Sequence, residues 1–372
     1  MHSKQKLLIR LTCFFWLVIK IAGYKIWVTE GRLYPVVPPF EFLDTIPPLL
    51  HTIVYILSLT GLIVLFIFPQ KRIIAISTLI LIVFSCSLDV LRWQPWEYQF
   101  LFFLLIFIVN HNNPKLFYNA IVFILASTYI YSGLHKINGG FLHNIWEHVL
   151  LSKLFMVSGN NIRYFKLHYI GLAIPAIEIA AGLGLLFIKK KLLPTIALIT
   201  MHVFILILMI RLHVNFLSII PQWNIAMIFF LGCYYYRDNF QFSFPSLFRG
   251  TNKLVFLCWG ILPALSFTGH WDKFLSSSMY SGTMKYMAVC VKNTSPAPQL
   301  KPYFTAKNSH NICNGAARIN VYGWALKDTG VLPYPEYWYY KRFKTSFKKL
   351  YPGINADFIV YKYPFKERVI LE

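Results

Sequence analysis

A succession of apolar runs, each near helix-spanning length and most closed by a basic junction, constrains this chain more than any other feature. About twenty apolar residues in a helix cover the ~30 Å of a bilayer's hydrocarbon. Within lipid only helices and closed barrels satisfy their own backbone groups. Hydropathy along the 372 residues marks about nine runs, at 7–28, 47–68, 73–89, 97–110, 117–137, 168–188, 192–210, 218–236 and 253–269. The fourth is short for a span, which suits a tilted helix or one beginning earlier, near Trp93. No small-x-small pattern follows the first run, so it reads as a retained span and not a cleaved signal. Only 13% of the residues are charged, against about a quarter in an ordinary soluble domain.

The expected architecture is an all-α polytopic membrane protein of about nine transmembrane helices. Residues 1–270 form the helical part. Residues 271–372 form a small C-terminal α+β extramembrane tail, basic and Tyr-rich. In that tail Lys285–Val291 and 358–363 read as strands. Pro333-Tyr-Pro335 marks a turn. Residues 335–350 read as a basic helix suited to a membrane surface. Residues 138–166, between the fifth and sixth runs, have room for a short interfacial helix.

The net charge is +22, but no nucleic-acid motif accompanies it. The basic residues sit between apolar runs and in the tail, as membrane flanks do. No nucleic-acid partner is expected; the bilayer is. Lys4, Lys6 and Arg10 place the N-terminus in the cytoplasm by the positive-inside rule. Alternation then puts Lys71-Arg72, Lys115, Lys189–Lys191 and Arg237 on the same side, and the tail on the other. Of six cysteines, four lie in apolar runs. Cys290 and Cys313 lie in the tail, where an oxidising compartment would allow a disulfide. No Cys-x-x-Cys, phosphate loop, nucleophile elbow or His-Glu-x-x-His is present, so no metal is expected.

Chemistry is expected where polar groups interrupt the runs, because an ionisable side chain inside a membrane is costly and so carries a purpose. In Thr128-Tyr-Ile-Tyr-Ser-Gly-Leu-His-Lys-Ile-Asn138, Leu125, Thr128, Tyr129, Ser132 and Lys136 share one helical face. Lys136, with His135 beside it, would sit at the mouth of a site between helices; a lysine merely snorkelling to the headgroups is the plain alternative. Glu178 lies about ten residues into the sixth run, ~15 Å deep, with Gly171, Pro175 and Gly182 on its face. His202 lies at similar depth in the seventh. The two would meet if these helices form a hairpin, as a proton relay or as a structural lock. Asp89 and Arg92 are three apart and would pair if the third helix continued; an interface anchor with Trp93, Trp96 and Tyr98 is the other reading.

Three motifs carry a resemblance. They are Leu88-Asp-x-x-x-Trp93-Gln-x-Trp96-x-Tyr98, Tyr131-Ser-Gly-Leu-His-Lys136-Ile, and Pro175-x-x-Glu178-x-x-x-Gly182. Together they resemble the horizontally transferred transmembrane domain (HTTM) family, which includes the membrane part of vitamin K-dependent gamma-glutamyl carboxylase. The third is also similar to DoxX-like membrane proteins. Trp271-Asp-x-x-Leu-Ser-x-x-x-Tyr-Ser-Gly282 and Pro333-Tyr-Pro-Glu336 look like an uncharacterised bacterial branch of the group. The resemblance implies a bacterial inner-membrane protein with a periplasmic tail, in which Lys136 matches the carboxylase's base. The carboxylase has a His where Trp96 stands, and a large extracytoplasmic domain where this chain has about a hundred tail residues.

The functional expectation is a membrane-embedded enzyme or redox protein acting on a quinone or lipid-like substrate. Lys136 or His135 would act as base, and Glu178 and His202 would relay or orient. A non-catalytic assembly partner of another membrane complex is the second reading. A proton-coupled transporter is the third, but no inverted repeat or paired broken helices supports it.

Overall fold

The computed structural model describes residues 3–235, 241–292, 298–305, 311–365 and 367–371. Helices lie over each apolar run. They are α1 (Ser3–Ala22), α2 (Pro48–Ile67), α3 (Arg72–Ser87), α4 (Pro95–Val109), α5 (Pro114–Lys136), α6 (Ala173–Phe187), α7 (Leu192–Arg211), α8 (Ile219–Tyr235) and α9 (Asn252–Thr268). Helix α6 is entered through 3-10 turns at Leu167–Leu172. Helix α9 carries a π turn at Leu257–Ile261. Pro48, Pro95 and Pro114 open their helices, where a missing N–H costs nothing. Asn113 caps α5 by accepting from Leu116 N at 3.2 Å.

Among the described residues, four helices are long and apolar enough to cross a membrane by length and composition: α2, α5, the span Leu167–Phe187 containing α6, and α7. Helices α3, α4, α8 and α9 are apolar but shorter. Helix α1 is long but carries Lys4, Lys6, Arg10 and Lys20. The protein is thus a mostly helical membrane protein with four helices of full spanning length, fewer than the runs of hydropathy. The fourth run stays at 15 residues, because Asp89 caps a separate 3-10 turn at Val90–Arg92 and the helix starts only at Pro95. Arg237, one of the basic residues used for orientation, lies outside the described residues.

The chain divides into two compact units. The first comprises Met1–Ala22, Leu59–Leu79 and Pro95–Thr283. Its middle is α4 and α5: the apolar stretch of α5 is 78% buried, that of α7 only 22%. Leu193, Ile196, Val203, Phe204, Ile207 and Ile210 of α7 are exposed. Such a stripe is a liability in water and is at home against lipid. Trp16, Phe100, Phe103 and Phe230 pack as one aromatic core. Within it Lys20 and Glu97 form a fully buried ion pair at 2.9 Å, and Trp16 Nε1 donates to the other Glu97 oxygen at 2.8 Å.

Helices α5 and α6 approach very closely, and glycines permit it. A Cβ at Gly133 would lie 2.8 Å from Pro175 O, and one at Gly182 3.0 Å from Ala126 O. Backbone cannot yield as a side-chain tip can. Gly133→Ala is therefore expected to destabilise by about 1–3 kcal/mol as overpacking, seen as a lowered melting temperature in detergent. Gly232→Ala on α8, where nothing lies within 4 Å, should leave it unchanged or slightly raised. At the end of α5, Gly140 and Gly282 lie backbone on backbone, with Gly282 at φ +74. Asn138 Nδ2 donates to Ser281 O at 2.9 Å. The Tyr-Ser-Gly282 motif is thus a dock for the turn that follows Lys136.

The second unit comprises Gly23–Ser58, Ile80–Gln94 and Met284–Glu372. It holds a five-stranded antiparallel sheet, β1 (Lys285–Val291), β2 (Phe304–Thr305), β3 (Ala317–Asn320), β4 (Ala356–Lys362) and β5 (Arg368–Ile370), in the order β2-β3-β1-β4-β5. Cys290 of β1 and Cys313 are joined by a disulfide. Helices α10 (Val321–Thr329) and α11 (Tyr337–Leu350) complete the unit. Helix α11 is the basic helix expected on a membrane surface, but its apolar face is spent inside the unit. Tyr339, Tyr340, Phe343 and Phe347 are buried, against Tyr34, Trp324 and Phe358. On its other side Arg342 pairs with Asp44 at 2.8 Å, and Lys349 also reaches Asp44.

Candidate functional site

The polar face of α5 is turned into protein. Lys136 Nζ donates to Glu178 of α6 at 2.6 Å and to Ser132 Oγ, one turn back on its own helix, at 2.8 Å. The Glu178 side chain is 4% exposed and the Lys136 side chain 15%, so the pair is largely withdrawn from solvent and open at the lysine end. Thr128 bonds back to Ile124 O at 2.9 Å and takes no part. Two turns before Lys136 on the same face, the Tyr129 hydroxyl meets His202 Nε2 of α7 at 2.8 Å. His202 Nδ1 meets Asn224 Oδ1 of α8 at 2.8 Å. Since an amide oxygen only accepts, Nδ1 carries the proton, and Nε2 accepts from Tyr129. Four helices therefore contribute two hydrogen-bonded polar groups, Lys136–Ser132–Glu178 and, two turns deeper along α5, Tyr129–His202–Asn224.

The hairpin pairing of Glu178 with His202 is not what forms. The ion pair of Glu178 is with Lys136, and the hydrogen bonds of His202 go to Tyr129 and Asn224. The close fit at Gly133 and Gly182 sets α6 against α5 so that Glu178 comes level with Lys136. His135 turns the other way. Its Nε2 lies 2.9 Å from Ser266 Oγ of α9, its ring stacks on Phe267 at 4.3 Å, and Ser266 in turn donates to Pro263 O. The neighbouring Tyr131 hydroxyl donates to the Gly260 carbonyl in the π turn of α9.

Asp89 and Arg92 belong to the second unit. Because α3 ends at Ser87, they do not face each other as successive turns of one helix. The ion pair of Asp89 is with Arg32 at 2.7 Å, and it also accepts from Val37 N and Leu91 N at 3.2 Å. Arg92 is fully buried. It donates to Ile26 O at 3.0, Trp27 O at 3.0, Ser85 O at 2.7 and His51 Nδ1 at 2.8 Å. That is a guanidinium spent on backbone carbonyls, which ties segments together. Nearby Tyr34 and Tyr339 share a hydroxyl–hydroxyl bond of 3.0 Å. Burial raises both phenols well above their ordinary range, so they stay protonated.

One residue of the site escaped the sequence reading, and so did the buried ion pair of the aromatic core. Asn224 is a polar residue in an apolar run. Lys20 and Glu97 are charges within or at the head of such runs. The rule that singled out Glu178, that an ionisable group in a span needs a partner, applied to Lys20 and Glu97; the only signal for Asn224 was a polar side chain inside an apolar run. Among the described residues, no group of three or more His, Cys, Asp or Glu is placed to hold a metal ion. Comparison with protein-family models, with curated proteins and with solved structures finds no match to this chain.

Proposed function

We propose that the Lys136–Glu178 pair is the working centre of a membrane-embedded enzyme or redox protein that handles a quinone or lipid-like molecule. The observation that carries this reading is the pair itself: a 2.6 Å lysine–carboxylate contact between membrane helices, open on the lysine side. A lysine and a carboxylate in direct contact can pass a proton along the hydrogen bond between them. Transfer of one proton from Nζ to Glu178 leaves an amine that takes a proton from a bound hydroxyl. The reverse transfer leaves an ammonium that polarises a carbonyl. Tyr129, His202 and Asn224 then serve as positioning residues beneath the pair. Assignment to the HTTM/DoxX-like group is part of the proposal. Its support is that two separate motifs of the resemblance, Tyr131–Ile137 and Pro175–Gly182, supply the two partners of this one contact.

The same proposal takes all the helices α1–α9 as crossing the bilayer, with the N-terminus cytoplasmic and the tail periplasmic in a bacterial inner membrane. Lys4, Lys6, Arg10, Lys71, Arg72, Lys115 and Lys189–Lys191 support it by their alternation. A second reading, a non-catalytic assembly partner, rests on one feature: Lys136 is already bonded to both Ser132 and Glu178, as a helix lock would be. Photolabelling separates the two. Membranes containing the protein are exposed to a photoreactive quinone and, separately, a photoreactive diacyl lipid, and the labelled peptides are mapped. Label on 129–136 and 175–182, displaced by unlabelled compound, is expected. Label confined to the exposed stripe of α7 would contradict the proposal.

A further inference from the structure

The connection from α5 to α6 is a folded element. Helix Phe141–Leu154 leads into a six-residue helix, Gly159–Tyr164, and then into the turns at Leu167–Leu172. Phe141, Leu150, Leu151 and Ile162 are buried. Trp146 Nε1 donates to Leu167 O at 2.8 Å, and the Trp146 ring sits where a Cβ on Gly171 would lie, 2.6 Å away. The backbone closes on itself. Phe155 N bonds Leu150 O, Val157 N bonds Leu151 O, Phe165 N bonds Asn161 O and Tyr169 N bonds Lys166 O, at 2.9–3.2 Å.

This pinned element nevertheless holds Phe155, Met156, Tyr164, Phe165, Tyr169 and Ile170 outward, each more than half exposed, from 52% at Phe155 to 85% at Met156. Lys153 precedes them, Arg163 and Lys166 are interleaved with them, and no acidic residue occurs between Glu147 and Glu178. The segment runs straight into α6, whose Ile177, Leu183 and Phe187 are exposed as lipid-facing residues are. Large apolar side chains held outward on a backbone that bonds much of itself internally suit a lipid boundary. Aromatic rings alternating with Lys and Arg are the composition of a headgroup belt. A protein–protein interface core is, by contrast, depleted of lysine.

We infer that residues 155–170 form an in-plane membrane anchor seated in the headgroup layer. The apolar side chains enter the acyl boundary, and Lys153, Arg163 and Lys166 lie against anionic lipid phosphates. The anchor fixes the connection between the two helices that bear Lys136 and Glu178.

The test uses the full chain in nanodiscs of phosphatidylcholine and phosphatidylglycerol. Cys13, Cys86, Cys233 and Cys258, the free cysteines, are replaced by Ser. Single Met156→Cys and Phe165→Cys sites carry an environment-sensitive fluorophore. Ile207→Cys on α7 is the lipid control, and Lys292→Cys in the tail, 52% exposed at its side chain, is the water control. The expected result at both 156 and 165 is strong quenching by lipids with a nitroxide near the headgroup, and iodide quenching several-fold below that at 292. Exchange of phosphatidylglycerol for phosphatidylcholine should weaken the nitroxide quenching. Iodide access equal to that at 292 would overturn the inference, as would shielding from iodide without nitroxide quenching, which means that protein covers the segment. The two sites are independent, so a label that disturbs one leaves the other decisive.

Discussion

Glu178→Gln is expected to cost about 3 kcal/mol of stability in detergent and, under the proposed function, to abolish retention of a quinone or lipid-like molecule. The substitution keeps the shape of the side chain and removes its charge. Lys136 then keeps a largely buried ammonium whose counter-ion is gone, and breaking one side of such a pair is costly. The double variant Lys136→Met with Glu178→Gln removes both charges at similar volume. Such replacements are often neutral for stability, so the double variant should melt within about 1 kcal/mol of the wild type. A double-mutant cycle on the melting data isolates the pairwise term. If the pair is only a helix lock, the double variant recovers binding along with stability. If it is the working centre, stability returns and binding does not. Recovery of both sinks the proposed chemistry and leaves the fold intact.

The second large effect is expected in the other unit. Arg92→Lys should destabilise by about 3–5 kcal/mol, although it keeps the charge. Three carbonyls, of Ile26, Trp27 and Ser85, and the ring nitrogen of His51 take their donors from one planar fork. An ammonium is a compact point charge and cannot reach four acceptors spread around a guanidinium. Each buried acceptor left without a donor costs about 1–3 kcal/mol. Limited proteolysis measures this directly, as new cleavage within Gly23–Ser58 or Ile80–Gln94 at temperatures where the wild type resists. Unchanged proteolysis would show that the network tolerates its loss and that Arg92 has another task. On the present geometry Asp89 and Arg92 are structural ties, and the chemistry expected at them is not proposed.

The positions of the helices were legible in the hydropathy, although only four of them reach full spanning length among the described residues. The helices fall on the apolar runs, and the strand at Lys285–Val291 was readable from its β-branched and aromatic content. Two kinds of information were not. One is which residues come level across helices. Periodicity fixes a face of a single helix but not its vertical register against the next. Glu178 was therefore matched to His202 by counting depth, when the close approach at Gly133 and Gly182 sets it against Lys136. The other is which apolar face is already spent. Helix α11 has the composition of a surface helix, and nothing local distinguishes a face that meets lipid from one that meets Tyr34 and Trp324. The connection at 155–170 has the opposite character: it reads as a mixed loop, and only its folded backbone shows that the apolar side chains are held outward.

The most direct measurement is native mass spectrometry with extraction and identification of bound small molecules. It is made on the wild type, on Lys136→Ala and on the Gly232→Ala control, each at the same interval below its own melting temperature and shown to be folded there. A quinone or lipid that accompanies the wild type and the control and is lost from Lys136→Ala is the predicted result, and it names the substrate class. Equal profiles from equally folded proteins, with no molecule held at all, would contradict a binding site at Lys136 and Glu178 and favour the assembly-partner reading.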